Sequence, residues 1–375
     1  MRYYCLHFII HQLKSKRNSI FINLAIFRIK TQIFLQTPKY ILNEIEGKTM
    51  CTAISYSANG HYFGRNLDVE EFYGESVVIT PRRFPLLFRY APQTEEHFAM
   101  IGMAYVADGY PLYYDATNEK GLSVAALSFP GEAYYHEKKP DVINLAPWEL
   151  IPFVLSECET AAQAKHLLSK VNLTEEAFSK DIPLTPLHFL IADKREAFAA
   201  EPMEKGLLLT ENPTGILTNS PSFDFQMPYL NLFMGLSNKP VENRLSKEIP
   251  FKEISRGMGA IGLPGDLSSP SRFVRAAFLK YHSFTGESEA HDVRQFFHIL
   301  GSVEQQKGCV DLGGKFEFTS YSSCCETEKG VYYYKTYDNF SIIGIDMYKE
   351  ELGEEQLISY PMVRETGFAI LNQSF

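Results

Sequence analysis

The spacing of hydrophobic and polar positions predicts a strand-rich chain from Cys51 onward. Apolar and polar residues alternate in CTAISYS and HYFGRNLD, and the Asn59-Gly60 pair between them is a strong signal for a two-residue hairpin turn. Further strands are predicted before the first helices in GESVVITPRR, HFAMIGMAYVADG, PLYYDATNEKG and LSVAALSF. Later strands are predicted in LHFLIAD, EAFAAEPME, GLLLTEN, GILTNSP and FEFTSYSSCCETEKGVYYYKTYDNFSIIGIDM.

Apolar residues spaced three and four apart predict helices in four other segments. These are LAPWELIPFVLSEC, TAAQAKHLLSKV, SRFVRAAFLKYHSF and HDVRQFFHILGSVEQQ. Strands and helices therefore come in blocks, whereas a doubly wound parallel sheet alternates single strands with single helices. The pattern predicts an α+β fold in which two antiparallel sheets carry helices on their outer faces.

Charge separates the first 49 residues from the rest of the 375-residue chain. Residues 1–49 carry a net charge of +6, although the whole chain carries −9. Lys14, Lys16 and Arg17 interrupt the first apolar run, which excludes an ordinary secretion signal. No run approaches the roughly 20 apolar residues of a membrane span, so a basic amphipathic membrane anchor is the remaining membrane alternative. The acidic balance of the remainder argues against a nucleic-acid partner.

We interpret residues 1–49 as a translated upstream extension that is not part of the fold. The codons of Glu46-Gly47-Lys48 are necessarily purine-rich, as a bacterial ribosome-binding site ahead of a start codon at Met50 would be. Residues 50–375 are then expected to form one domain. Because Cys51 is small, the initiator Met50 would be trimmed and the mature chain would start at Cys51.

The six cysteines do not predict a disulfide framework or a metal site. No CxxC pair is present, and no cysteine and histidine cluster has zinc spacing. Cys324 and Cys325 are adjacent in a predicted strand and would point to opposite faces. Reduced thiols in a cytoplasmic protein fit best, with Cys158, Cys309, Cys324 and Cys325 as small buried apolar residues.

An N-terminal Cys51 would combine a nucleophile and a base on one residue. Its α-amine, with a pKa of about 7.7–8.0, can accept the thiol proton near neutral pH. With a two-residue turn, Ala58 pairs with His61 and Cys51 lies opposite Asp68, about 5 Å apart at Cβ. Arg65 would then face away from Cys51, unless a bulge at Gly64 or Asn66 turns it inward. The alternative is an ordinary surface Arg and Asp on a hairpin.

Two more polar residues are candidates for amide hydrolysis, which needs donors for a developing oxyanion. Asn219 ends a predicted strand in ILTNSP, where its alternative role is to close a turn. Arg272 begins a predicted helix after GLPGDLSSPS, and its alternative role is a solvated helix residue.

From Met50 to about Asp346 the chain resembles the choloylglycine hydrolases, which include bile salt hydrolases and penicillin V acylases. The resemblance rests on an ordered set of segments: MCTAISY, FGRNLDVE, YDATNEKGLSVAAL, ILTNSPSFDFQ, GLPGDLSSPSRFVRAAF, FFHILGSV and GVYYYKTYDN. It implies an N-terminal nucleophile hydrolase with a four-layer αββα sandwich. It implies no metal and no organic cofactor.

The resemblance also implies catalytic roles. Cys51 would be the nucleophile, Arg65 would lie beside its thiol, and Asp68 would hold its α-amine. Asn219 would donate to the oxyanion, and Arg272 would complete the charged network. Bile salt hydrolases typically carry Asn, and penicillin V acylases Tyr, where this chain has Ser128. Ser128 is still expected at the oxyanion hole: a contribution from its backbone N–H would survive this difference, whereas a contribution from its side chain would be weakened.

The expected substrate is a glycine- or taurine-conjugated bile acid, with the aromatic loops FYGESVV and FPGEAYY as candidates to hold the steroid. The enzyme alternative is a penicillin V acylase or another linear-amide acylase, such as one that cleaves acyl-homoserine lactones. A non-enzymatic alternative is an inactive or tethered binding module, which applies if residues 1–49 stay attached. The resemblance further implies a homotetramer, with an assembly loop within 227–260.

Overall fold

A computed structural model describes residues 49–93, 96–367, 370 and 372 of the chain. The expectations for residues 1–48 lie outside the described residues. Two large antiparallel sheets and one short parallel pair of strands make up the described β structure. The predicted α+β class and the block order of strands and helices are confirmed.

The first sheet contains the strand that begins at Cys51. Its strands are β1 (Cys51–Ser57), β2 (His61–Val69), β12 (Ile216–Leu217), β13 (Val310–Asp311), β14 (Phe316–Glu326), β15 (Val331–Thr336) and β16 (Asn339–Asp346). Their hydrogen-bonded order is β12-β1-β2-β14-β15-β16, and β13 pairs with β14 at one end. Both β1 and β2 are buried along almost their whole length, so polar residues on them need partners inside the protein.

The second sheet faces the first across the core. Its strands are β3 (Ser76–Thr80), β4 (Met100–Ala107), β5 (Tyr110–Asn118), β6 (Ser123–Ser128), β9 (Leu187–Ala192), β10 (Ala197–Met203), β11 (Gly206–Glu211) and β17 (Ile358–Pro361). Their hydrogen-bonded order is β11-β10-β9-β6-β5-β4-β3-β17. The short parallel pair is β7 (Ile143–Leu145) with β8 (Val171–Leu173).

Helices cover the outer face of each sheet, which gives the four-layer αββα sandwich. They are α1 (Leu150–Glu157), α2 (Ala161–Leu168), α3 (Phe223–Leu230), α4 (Ser269–His282) and α5 (Glu289–Gly301). α1 and α2 lie on the second sheet, whereas α4 and α5 lie on the first. Local signals fix the helix starts: Thr160 and Ser288 each cap a first turn by accepting a backbone N–H. The short α3, with Pro228 inside it, was not predicted.

The register of the first hairpin differs from the predicted one by one residue. Ser57, not Ala58, pairs with His61, so the turn has three residues and Cys51 pairs with Leu67 instead of Asp68. Arg65 consequently lies opposite Ala53, on the Cys51 face of the sheet. Neither predicted bulge is needed; the irregularity lies in β14, between Thr319 and Tyr321.

Candidate active site

The Cys51 thiol is buried at the start of β1, beside the guanidinium group of Arg65. Arg65 Nη2 donates to Cys51 Sγ at 2.6 Å. Arg65 Nη1 donates to the carbonyl oxygens of Tyr114, at 3.0 Å, and of Ala126, both on the second sheet. These bonds orient the guanidinium across the space between the sheets. Arg65 therefore lies beside the Cys51 thiol, where the family resemblance placed it.

Opposing effects act on the thiol pKa. Burial raises the pKa of Cys51, whereas the positive charge of Arg65 lowers it. The negative charge of Asp68 raises this pKa further, and the backbone N–H groups of Asp68 and Ser128 lower it by hydrogen bonding to the sulfur. A thiolate formed here would thus be stabilised by one cation and two backbone donors. Ser128 acts here through its backbone N–H at the sulfur, and its contribution to an oxyanion hole remains a prediction.

The Cys51 nitrogen is held by Asn219, whose amide oxygen is bound in turn by Arg272. It donates to Asn219 Oδ1 at 2.7 Å, and Arg272 Nη2 donates to the same oxygen at 2.6 Å. Arg272 Nη1 also donates to the Cys51 carbonyl oxygen at 2.5 Å and to Thr52 Oγ1 at 2.7 Å. Arg272 is completely buried, so it is not the solvated helix residue of the alternative interpretation.

The amide nitrogen of Asn219 faces two carbonyl groups. Nδ2 donates to Ser128 O at 2.8 Å and contacts Thr49 O at 3.4 Å. The backbone of Asn219 is fixed by the Ser269 hydroxyl at 2.9 Å and by Gln226 Nε2 at 2.7 Å. Asn219 is therefore held rigidly in the site as a donor. Its amide nitrogen faces the backbone carbonyl of Thr49, which precedes Cys51 in the chain.

Asp68 lies behind the Cys51 nitrogen on the neighbouring strand. Its backbone N–H donates to Met50 O at 3.0 Å, and its Oδ1 accepts from Thr319 Oγ1 at 2.6 Å. Oδ2 lies 4.0 Å from Arg272 Nη1 and has no hydrogen-bond partner among the described residues. Burial raises the pKa of Asp68 to about 6, which Arg272 opposes. A bond from Asp68 to a free α-amine remains a prediction, because Cys51 carries a peptide nitrogen here.

The structure also brings in residues that the sequence did not single out. Thr319 binds Asp68, and Thr52 binds Arg272. Glu317 accepts a hydrogen bond from the Met50 nitrogen and is fully buried. Thr319 and Glu317 lie on β14, far from β1 in sequence, so no local motif pointed to them.

Cys51 thus has a guanidinium at its sulfur and a bound amide oxygen at its nitrogen, an arrangement suited to nucleophilic attack on an amide. The family described as linear amide C–N hydrolases, choloylglycine hydrolase family, matches residues 51–360. The chain belongs to this family. A choloylglycine hydrolase cleaves linear amide C–N bonds, so the chain is a hydrolase, and the match begins at the candidate nucleophile.

Two relatives of this choloylglycine hydrolase align over their whole length. A protein from Lactiplantibacillus plantarum named bile salt hydrolase/transferase is 49% identical over 324 residues, 86% of this chain and 100% of the relative. A conjugated bile acid hydrolase from Lactobacillus gasseri is 36% identical over 316 residues, 83% of this chain and 100% of the relative.

Solved structures confirm the αββα fold of this choloylglycine hydrolase. A crystal structure of the conjugated bile acid hydrolase from Clostridium perfringens has a TM-score of 0.80 at 32% identity, over 86% of this chain and 100% of that one. The penicillin V acylase from Agrobacterium tumefaciens has a TM-score of 0.66 at 19% identity, over 82% of this chain and 90% of that one. The second likeness concerns the fold alone.

The described residues also bear on the expectations about cysteines, metal sites and membrane spans. Cys51, Cys158, Cys309, Cys324 and Cys325 are all free thiols; Cys309 is exposed, so its expected burial was wrong. The described residues contain no cluster of three or more His, Cys, Asp or Glu side chains able to hold a metal ion. Among them, every helix falls short of the length and apolar character needed to cross a membrane.

Proposed function

We propose that this protein hydrolyses the amide bond of glycine- or taurine-conjugated bile acids, with Cys51 as the nucleophile. The observation that carries the proposal is the contact of Cys51 Sγ with Arg65, combined with the contact of the Cys51 nitrogen with Asn219. The bile acid substrate is supported by the names of relatives that match over their full length.

The mature chain in this proposal starts at Cys51, and residues 1–49 are a translated upstream extension. Two observations support this. The family match begins at Cys51, and the Cys51 nitrogen is already bound by an amide oxygen inside the site. A free α-amine at this place would supply the base, without a histidine in the site.

In the first half of the reaction, the α-amine takes the thiol proton and the thiolate attacks the carbonyl carbon of the substrate. The carbonyl oxygen gains the negative charge, which Asn219 Nδ2 and the Ser128 backbone N–H stabilise. The C–N bond then breaks, and the leaving nitrogen takes the proton from the α-ammonium group. Glycine or taurine departs, and the acyl group remains on Cys51 as a thioester.

In the second half, the neutral α-amine accepts a proton from water as the water oxygen attacks the thioester carbon. Collapse of the tetrahedral intermediate breaks the C–S bond, and the thiolate regains its proton from the α-ammonium group. Arg65 stabilises the thiolate in both halves. Asp68 and Arg272 keep the α-amine and the main chain of Cys51 in place.

The proposal is tested with a chain that begins at Met50, after intact mass has verified removal of that residue. Glycocholate, taurocholate and penicillin V are supplied side by side, and the released amine or acid is measured. Preferential release of glycine or taurine is expected. Faster cleavage of penicillin V, or no cleavage of either conjugate with Cys51 exposed as the N-terminus, would contradict the bile acid assignment.

The proposal extends to assembly and location. Leu232, Met234, Leu245, Ile254 and Ile261 are all at least 70% exposed in this single chain, which supports an assembly loop in and around 227–260 of a homotetramer. The five cysteines of the described residues are free thiols, which supports a reducing, cytoplasmic location.

A further inference from the structure

Glu317 is a buried carboxylate beside the start of β1 to which the proposed mechanism gives no role. Its Oε1 accepts from the backbone nitrogen of Met50, the residue that immediately precedes Cys51. Its Oε2 is buried and has no hydrogen-bond partner among the described residues. A buried carboxylate oxygen without a donor is costly, so a donor is expected at this place in the active protein.

Asp68 carries a second orphaned carboxylate oxygen on the same face of the sheet. Thr319 pairs with Asp68 across β14 and β2, and Glu317 lies two residues from Thr319 on β14. Because side chains two residues apart on a strand share a face, Glu317 and Asp68 are diagonal neighbours. Arg272 is 4.0 Å from Asp68 Oδ2, too far for a hydrogen bond.

Removal of Met50 would create the missing donors. The peptide nitrogen of Cys51 has one N–H, which Asn219 Oδ1 accepts. An α-ammonium group has three N–H bonds, so two further donors become available, one for Asp68 and one for Glu317, whose Oε1 loses the Met50 nitrogen in the same step. Glu317 now contacts the nitrogen of Met50. The Cys51 nitrogen is the next one along the chain, one residue spacing (~3.8 Å) away.

We infer that Glu317 is a positioning residue that binds the free α-amine of Cys51. It shares this role with Asp68 and Asn219, and the inference rests on the proposed function because it requires removal of Met50. By stabilising the protonated α-amine, Glu317 raises the pKa of this base. It also keeps the amine nitrogen oriented toward the Cys51 thiol.

The charges around Glu317 are consistent with this role. Burial raises the pKa of Glu317 to about 8, and the nearby charge of Asp68 raises it as well. Arg272 from α4 lowers this pKa, whereas Glu70, just beyond β2, raises it. Lys315, on the β14 side, lies 3.9 Å from Glu70 and partly offsets its charge. An ammonium ion beside Glu317 would favour its ionised form, so the two groups would titrate as a pair.

The test compares Glu317→Gln, Glu317→Asp and a matched control in chains released from a cleavable fusion that leaves Cys51 first. Glu304→Gln is the control, because Glu304 also acts electrostatically on Asp68 but is bound to Lys335 at 2.5 Å and Ser322 at 3.2 Å. The measurements are the pH profile of kcat/KM for glycocholate and the pH dependence of selective α-amine acylation, followed by intact mass.

Loss of the Glu317 charge lowers the pKa of the α-amine, so activity should persist to lower pH. For Glu317→Gln we expect the acidic limb and the acylation midpoint to fall by about 0.5–1 pH unit. kcat should fall about three- to tenfold, with KM little changed. Glu317→Asp, which keeps the charge, should shift the midpoint less, and Glu304→Gln should leave it unchanged.

The inference is overturned if Glu317→Gln matches the wild-type acylation midpoint, or if Glu304→Gln shifts it equally. Should Glu317→Gln fail to fold, an unshifted midpoint in Glu317→Asp overturns it instead. Absence of bile acid hydrolysis by the wild-type chain would contradict the proposed function alone, since the acylation titration still measures the effect of Glu317 on the α-amine.

Discussion

Arg65 Nη2 lies 2.6 Å from Cys51 Sγ, although 14 positions separate the two residues in the chain. The contact exists because Cys51 pairs with Leu67, which places Arg65 opposite Ala53 on the same face of the sheet. A register shift of one residue would send Arg65 to the opposite face. The three-residue turn at 58–60 therefore decides whether a cation reaches the nucleophile.

Replacement of Arg65 by Gln should make the thiol less acidic and the enzyme less active. Without the guanidinium, the raising effect of burial loses its main opposing charge, so the thiol pKa should rise. The measurement is the rate of alkylation by iodoacetamide as a function of pH, in chains that begin at Cys51. Arg82→Gln is the control, because Arg82 forms an ion pair with Glu119 away from Cys51. Equal alkylation profiles for both variants would contradict the role of Arg65.

Replacement of Asn219 by Ala should lower kcat by about 10²–10³, the usual cost of losing an oxyanion donor. The neighbouring variant Ser220→Ala should change kcat less than about threefold, since the Ser220 hydroxyl binds Pro130 O at 2.8 Å and does not contact Cys51. Steady-state kinetics with glycocholate measure both, and thermal melts verify folding. A loss below about threefold for Asn219→Ala would reduce Asn219 to a structural residue.

The buried His61 should make folding stability depend on pH below neutrality. Its ring binds Ser55 Oγ and Thr327 Oγ1, each at 2.9 Å, and burial lowers its pKa from 6.5 to about 4. The unfolded chain binds the proton more readily, so stability is present above pH 6.5 and is lost as pH falls toward 4. The expected loss is about 2–3 kcal/mol.

Urea unfolding at pH 7.0 and 4.5 measures this effect. His61→Gln should show a smaller loss of unfolding free energy between the two pH values than the wild type. The exposed His298, changed to Gln, should keep the wild-type pH dependence. If His61→Gln and the wild type lose the same free energy, the pH dependence has another origin.

The assembly loop should respond to charge on its exposed apolar residues. Leu245 and Ile254 are 86% and 91% exposed, so Leu245→Glu with Ile254→Glu should leave each subunit folded but destabilise a tetramer. Light scattering after size exclusion measures the mass of the assembly. Phe284→Glu is the control, since Phe284 is 83% exposed outside the loop. An unchanged mass for the double variant would contradict the role of this loop.

Sequence reasoning predicted the layers and singled out polar residues that the structure places around Cys51, but it did not give the register. The Asn59-Gly60 pair predicts a two-residue turn, whereas the turn has three residues. A clear alternation of buried and solvated positions along the two strands would have revealed the correct register. Both faces of β1 and β2 are buried, so the polar residues there mark hydrogen bonds inside the protein instead of an outer face. The sequence therefore located Arg65 and Asp68 without deciding which of them faces the thiol.

The residues that the sequence missed come from a distant strand. Thr319 binds Asp68 across 251 positions of the chain, and Glu317 reaches Met50 across 267. Their positions depend on the pairing of β14 with β2, which includes an irregularity between Thr319 and Tyr321. Local periodicity predicts a strand over these residues but gives neither its neighbour nor its bulge.

The Thr49 carbonyl, 3.4 Å from Asn219 Nδ2, is itself an amide carbonyl held at a candidate oxyanion donor. A chain that keeps the residues before Cys51 therefore carries a tethered competitor for its own site. Because a tethered group has a fixed and high local concentration, neither dilution nor excess substrate would displace it efficiently. Only cleavage of the peptide bond before Cys51 would remove it, so the same event would free the base and vacate the donor.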